Sequence, residues 1–320
     1  MRSVRPGRRW RSGSHLLGDI PLRRLPDVAF ALTSPRHAAA AFAVLCAAAN
    51  AQAETPGLRM MPDGSRDLYV GAGIASAPKT AGAADRETRG ALLLQMQWSS
   101  GIFLSGLTLG MHLSDSPTVE AGPLLTIESG RSASGSQTLT GIGGIDGTAA
   151  GSTLIGGLQP ARTVMVQRYT EIQARPEAGG FFHYNFDRSL RVMTTALYGG
   201  GNDRNGLVLT ATLQKALPAM PAHHHVAVSA GASWANGPYL RSWFGTAPVT
   251  QPDGRMTVGY APSAGLRDVQ AALNWNWELG SMWLLSSQVA VTRLMDDAAR
   301  SPLTDRRNTV AVRTGLAYRF

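Results

Sequence analysis

Charged residues are scarce in this chain, at 16% of 320 residues, and long apolar runs are absent after residue 60. No stretch there approaches the roughly 18 consecutive apolar residues that a transmembrane helix needs. A disordered chain is also excluded, because such chains combine low hydrophobicity with high charge, whereas 44% of these residues are hydrophobic. With 36 glycines, the composition favours a sheet-rich protein.

Basic charge is concentrated at the start of the chain. The formal net charge is +9, but residues 1–53 contain eight arginines and two aspartates, and the remainder has 22 basic and 19 acidic residues. A nucleic-acid-binding domain needs a basic face, and so small an excess spread over the remainder provides none. Nucleic acid is therefore excluded as a partner.

Cysteine occurs once, at Cys46, within an apolar run of twelve residues at 38–49. An arginine-rich stretch precedes the run and Ala51-Gln52-Ala53 follows it, which is the pattern of a secretory signal peptide. A helix of twelve residues spans about 18 Å, less than the roughly 30 Å of a hydrocarbon core. We therefore expect residues 1–53 to be a cleaved signal peptide with a long basic leader, and residues 54–320 to be exported without a thiol.

Apolar and polar residues alternate with a period of two, most clearly at the end of the sequence. One face carries Val310, Val312, Thr314, Leu316, Tyr318 and Phe320, and the other carries Thr309, Arg313, Gly315 and Arg319. Such a strand suits lipid on one side and water on the other. Similar alternation gives twelve candidate strands: 67–76, 91–98, 101–112, 119–128, 137–145, 168–185, 189–199, 205–215, 225–236, 268–278, 281–293 and 309–320.

The candidate strands are joined by connections of two lengths. Tight connections at 99–100, 186–188 and 279–280 alternate with long ones at 77–89, 146–167, 237–264 and 294–307. Short turns on one side and long loops on the other are typical of outer-membrane barrels, as is an even strand count. We predict an all-β fold, a transmembrane up-and-down antiparallel β-barrel of twelve strands, with 10 or 14 also compatible.

Aromatic residues are predicted to gather at the ends of strands that meet the short turns. They are Trp98, Trp275, Trp277, Trp283, Tyr318 and Phe320. Amphipathic rings prefer the headgroup level of a membrane, so these residues would form a girdle. The alternative, a secreted β-sandwich, would bury the tryptophans in a core but offers no role for an aromatic final residue.

Several motifs resemble those of a known family. Leu316, Tyr318 and Phe320 form the alternating aromatic ending by which outer-membrane barrels are recognised for assembly. The chain resembles the MltA-interacting protein (MipA)/OmpV family in four places: Gly71-Ala72-Gly73, Tyr239 with Phe244-Gly245, Gly259 to Val269, and Gly315 to Phe320. The resemblance implies a protein of the cell outer membrane in contact with lipid and the barrel-assembly machinery. Some members are scaffolds that join a murein hydrolase and a murein synthase; others are described as adhesins or porin-like proteins.

No catalytic residues, metal ligands or cofactors are expected, since the family offers none to transfer. Three adjacent histidines, His223, His224 and His225, would point to alternate sides of an extended strand and cannot share one ion. His183 is expected to face the lumen as a lone polar residue and not to serve as the base of a hydrolase. Inward-facing charges are expected to form ion pairs: Glu120, Glu128, Glu177, Asp268 and Glu278 with Arg175, Arg191, Arg313 and Arg319.

The connection 237–264 is too apolar for an ordinary exposed loop, because it carries Tyr239, Trp243, Phe244 and Tyr260. Long ordered loops of barrels often carry function. We predict that it folds into the barrel mouth as a plug, and the alternative is an adhesive outer surface. The function that follows is a non-enzymatic scaffold, with a narrow porin-like channel or a surface adhesin as alternatives.

Overall fold

Twelve antiparallel strands form one sheet that closes on itself. The structure is a computed structural model that describes residues 66–114, 116–137, 142–143, 169–218, 221–248, 256 and 258–320. The barrel strands are β1 Arg66–Pro78, β2 Arg86–Trp98, β3 Ile102–Ser105, β4 Thr108–Met111, β5 Val119–Glu128, β6 Arg175–Asn185, β7 Leu190–Gly200, β8 Gly206–Leu217, β9 His224–Ala235, β10 Gly265–Glu278, β11 Trp283–Leu294 and β12 Asn308–Arg319. The predicted signal peptide, residues 1–53, lies outside the described residues.

The barrel closes where β1 pairs with both β2 and β12. Gly71 and Gly73 make this seam possible, because a Cβ at Gly71 would lie 2.2 Å from the carbonyl oxygen of Leu316. Only glycine allows the two strands to approach this closely. The predicted up-and-down antiparallel barrel of twelve strands is therefore confirmed.

The predicted strand 101–112 is wrong, because this stretch is the hairpin β3–β4. Ser105 pairs with Thr108 across a two-residue turn, and Gly106 adopts a positive φ of 60°. Glycine at the first position of a two-residue turn is the signature of a type II′ hairpin. The alternation continues through the turn, so periodicity alone did not reveal it.

Two other predicted boundaries change. The strand 137–145 lies mostly outside the described residues, and its Ile142–Gly143 pairs in parallel with Leu92 and Leu93 of β2. The strand predicted at 168–185 begins only at Arg175, because Ile172 exchanges backbone hydrogen bonds of 2.7 Å with Arg131. The twelve barrel strands therefore include two from 101–112 and do not include 137–145.

The two ends of the barrel differ. At the end where β1 begins and β12 finishes, which we name the turn end, short turns such as 99–101, 186–189 and 279–282 join the strands. At the other, the loop end, lie the described residues 129–137 and 169–174 of the connection between β5 and β6, together with helices α1 Gly237–Phe244 and α2 Asp296–Arg300 in the connections after β9 and β11. Among the described residues, neither helix is long and apolar enough to cross a membrane. The connection predicted at 77–89 shrinks to 79–85, because β1 and β2 stay paired as far as Pro78 and Arg86.

The outer surface of the barrel is apolar. Exposed side chains on it include Val70, Ile74, Leu92, Leu125, Val289 and Val310. Alternation turns the intervening residues into the lumen, where Glu177, His183 and Asp268 are buried. The faces predicted for the final strand are those observed, with Val310, Val312 and Leu316 exposed to the outside.

Aromatic rings lie together at the turn end. Trp283 meets Tyr318 edge to face at 5.0 Å between ring centroids, and Tyr318 meets Phe320 at 4.8 Å. Trp275 and Trp277 stack at 6.1 Å. This arrangement is the aromatic girdle that the alternation predicts. Tyr184 and Phe186, whose ring centroids are 4.9 Å apart, also belong to the girdle and were not predicted.

The three residues of the predicted assembly signal lie at the end of β12 and just beyond it. Leu316 and Phe320 are exposed on the outer surface, and the backbone N–H of Phe320 donates to the carbonyl of Leu68 at 2.9 Å. Phe320 thus extends the seam with β1. We propose that Leu316, Tyr318 and Phe320 together form the surface that guides assembly.

Replacing Phe320 by Asp tests this proposal. The substitution puts a charge beside Tyr318 at the closing seam, so we expect a several-fold lower yield of membrane-inserted barrel. Heat-modifiable migration on gels measures the folded fraction, and Phe320→Leu, which keeps an apolar side chain at the same position, serves as the control. Equal folded fractions for Phe320→Asp and the parent protein would contradict the proposal.

Candidate functional site in the loop end of the barrel

Helix α1 begins with residues that suit a helix start. Asn236 is the N-cap, and its side-chain oxygen accepts a 3.0 Å hydrogen bond from the backbone N–H of Tyr239. Pro238 follows in the first turn, where a missing N–H costs nothing. Asn236-Gly237-Pro238 is therefore a sequence signal for the start of this helix, although only an inward-folding loop was predicted for the connection.

The apolar face of α1 is buried in the loop end. Tyr239, Leu240, Trp243 and Phe244 are each less than 10% exposed, and they pack in one cluster with Ala235, Leu294, Ala298 and Ile172. Ile172 precedes β6 and Leu294 ends β11, so the cluster reaches across the mouth from one side of the barrel to another. Tyr239, Trp243 and Phe244, three of the four predicted plug residues, thus come together inside the mouth.

Tyr260, the fourth predicted plug residue, lies elsewhere. Its backbone pairs with Thr246, and its hydroxyl donates to the carbonyl of Asp297 in α2 at 2.8 Å. Asp297 in turn accepts from the N–H and the hydroxyl of Ser263 at 2.8 and 2.7 Å. These bonds and Arg300 lower the pKa of Asp297 to about 2, so the carboxylate stays ionised and ties the connection after α1 to α2.

Arg131 joins α1 to the opposite side of the mouth. Its guanidinium donates to the carbonyls of Trp243 at 2.6 Å and Ser242 at 3.2 Å, which lie in the last turn of α1, and to that of Thr170 at 3.3 Å. A cation at a helix C-terminus also complements the helix dipole. The side chain is 1% exposed, and burial lowers its pKa to about 10. No local sequence pattern marks Arg131, so it was not among the predicted site residues.

The inner wall beside α1 carries a charged network. A register shift between Ser233 and Trp234 of β9 disrupts the pairing with β10, and both Arg267 and Asp268 line the lumen there. Arg267 donates to the hydroxyl of Tyr239 at 3.0 Å and to Asp268 at 2.5 Å. Glu128 accepts from the backbone N–H of Gly201 at 3.1 Å. Of the acidic residues predicted to form inward ion pairs, Asp268 forms one here, but its partner is Arg267, which was not among the predicted arginines.

Beneath α1, the lumen holds a cavity of about 420 Å³, which we name the lumen cavity. Tyr239, Trp243 and Phe244 border it on the loop side. Its walls carry many hydroxyl, amide and charged side chains, including Arg89, Thr195, Thr210, Thr212, Gln288 and Arg313. A chamber that combines such polar groups with aromatic rings can bind a small polar molecule.

The turn end holds the histidines. His183 faces the lumen, 3.6 Å from Glu120, and makes a tilted ring contact with Phe181 at 4.9 Å. His223 and His225 each contact Glu278, at 3.6 and 3.2 Å, whereas His224 stacks on Trp277. The alternation predicted for the three histidines is therefore observed. Within the described ranges, no group of three or more His, Cys, Asp or Glu residues is arranged to hold a metal ion.

A closed antiparallel sheet with an apolar outer surface and a polar lumen defines an outer-membrane β-barrel protein. Residues 70–320 match the family described as MltA-interacting protein MipA, and the chain belongs to that family. The resemblance found in the sequence is thereby confirmed.

Solved barrel structures are similar to this chain at a distance. The KdgM porin shares 8% identity, with 79% of this chain and 99% of that chain covered and a TM-score of 0.39. The outer membrane channel DcaP of Acinetobacter baumannii shares 8% identity, with coverage of 80% and 96% and a TM-score of 0.35. No curated protein matches the chain significantly.

Proposed function

We propose that this protein is a low-conductance outer-membrane barrel that serves as a membrane anchor and scaffold for a murein-processing enzyme. The filling of the loop end by α1 carries the proposal, since a barrel built for free diffusion leaves its mouth open. Arg131, Arg267 and Ser301 all tie α1 down, the last by a 2.6 Å hydrogen bond to the carbonyl of Phe244. The description of the family as MltA-interacting supports the choice of partner.

The turn end is the surface that we propose for the partner. Short turns of bacterial barrels face the periplasm, where murein lies. Polar side chains are exposed there, among them Arg188, His223 and Glu278. A second cavity of about 330 Å³ opens beside them and is lined by Glu120, Asn185, Asp187, Arg191 and Gln214. A partner bound at this end leaves the loop end untouched.

Binding of purified MltA to the barrel in nanodiscs tests the scaffold role. We expect binding to survive protease treatment of the loop end and to weaken at least tenfold in the variant Arg188→Glu/Glu278→Lys, which reverses two turn-end charges. The matched control is Arg204→Glu, at the loop end, where binding should be unchanged. Failure of the parent barrel to bind MltA, or equal loss in the control, would contradict the proposal.

A narrow channel is the second candidate, and the lumen cavity favours it. Planar-bilayer recording separates the two, because a scaffold with α1 in place should pass little current whereas a channel should conduct steadily. Surface adhesion, the third candidate, requires adhesion of whole cells that disappears when the loop end is removed by protease.

A further inference from the structure

The lumen cavity has a basic wall formed by β2, β1 and β12. Ala75 of β1 pairs with Arg89 on one side and with Arg313 on the other, and all three line the cavity. Adjacent strands lie about 4.8 Å apart, so the backbones of the two arginines are at the same height in the barrel wall and about 10 Å from each other. The small Ala75 side chain leaves the space between the two arginine stems open.

The opposite wall presents hydroxyl groups. It is formed by β7, β8 and β9, and β7 stands six places from β1 in the closed order of twelve strands. Its cavity-lining residues are Thr195, Thr210, Thr212, Ser229 and Ser233. A row of hydroxyls can donate to and accept from the hydroxyls of a ligand.

Three residues that line the cavity have a buried polar side-chain atom with no hydrogen-bond partner among the described residues, and these atoms have almost no accessible surface. They are Thr80 Oγ1, Arg89 Nε and Ser129 Oγ. Buried polar groups are normally satisfied, and Arg89 Nε can only donate. The other side of the same guanidinium is held by Glu87, so the orientation of Arg89 is set before any ligand arrives.

We propose that the lumen cavity binds a sugar acid of one or two rings. The carboxylate lies against Arg89 and Arg313, the hydroxyls face β7 to β9, and the ring lies below Trp243 and Phe244. A volume of about 420 Å³ suits a ligand of this size. A small inorganic anion would not reach the hydroxyl wall, and a neutral sugar would bring no negative charge to the arginines. The proposal is independent of any partner at the turn end.

Calorimetric titration of the full-length barrel in nanodiscs tests the proposal, with galacturonate, galactose and glutarate as probes. We expect galacturonate to bind at least tenfold more tightly than galactose, which lacks the carboxylate, and than glutarate, which lacks the ring. Equal affinity for galactose and galacturonate, or no binding of galacturonate, would overturn the proposal.

Variants locate the site. Arg313→Gln should weaken galacturonate binding at least tenfold and leave galactose unchanged, whereas Arg191→Gln, a lumen arginine outside the cavity, should stay within twofold of the parent protein. Thr212→Val provides a second test that keeps both arginines. It should weaken the binding of galacturonate and the binding of galactose by the same few-fold factor. Full galacturonate affinity in both Arg313→Gln and Thr212→Val would place binding elsewhere and overturn the proposal.

Discussion

Replacing Arg131 by Met is expected to release α1 from the mouth of the barrel and to raise single-channel conductance several-fold. The methionine fills similar space but leaves the carbonyls of Trp243, Ser242 and Thr170 without their donor. It also removes the cation–π contacts with Tyr169 and Trp243, at 4.9 and 5.3 Å. Together these losses make local opening easier by about 3 kcal/mol, roughly a hundredfold in population.

Planar-bilayer recording measures this effect, and protease cleavage within 236–264 gives a second readout. Arg188→Met, at an exposed residue of the turn end, is the matched control, and its single-channel conductance should equal that of the parent protein. Unchanged conductance and unchanged cleavage in a fully heat-modifiable Arg131→Met barrel would show that Arg131 does not hold the helix.

Placing arginine at Leu273 is expected to destabilise the barrel by about 2–4 kcal/mol, because a charge then faces the hydrocarbon core. Leu273 is 45% exposed on the outer surface, in the middle of β10 between Val228 and Val289. The next residue, Asn274, faces the lumen and accepts a hydrogen bond from Gln288. Arginine at Asn274 can reach lumen water, so its cost should stay below about 1 kcal/mol.

Urea unfolding in lipid vesicles compares the two variants, with the free energy of unfolding as the measured quantity. The pair forms its own control, since the same charge is added one residue apart. Equal costs at the two positions would mean that the assigned lipid face of β10 is incorrect.

The sequence by itself determined which side of each long strand meets lipid. Alternation has a period of two residues, so a stretch such as 268–278 contains all the information about its own faces. The aromatic positions at the strand ends followed from the same local pattern. The family could also be identified from local motifs, because Gly71 and Gly73 are required by the tight seam with β12.

Turns and helices were less accessible to sequence reasoning. The hairpin at Gly106 interrupts an apolar stretch without changing its alternation, so the β3–β4 pair was predicted as one strand. The helix α1 carried a capping signal at Asn236 and Pro238, but eight residues are too few to show a clear helical period. Both features depend on one or two residues and not on a repeating pattern.

Only the tertiary structure decided what fills the lumen. Arg131 and Trp243 are 112 positions apart in the chain, and Arg89 and Arg313 meet one cavity only because the first strand pairs with the last. The register shift beside Arg267 depends on a neighbouring strand. Such contacts arise from closure of the sheet, and closure brings together residues whose local sequences carry no information about each other.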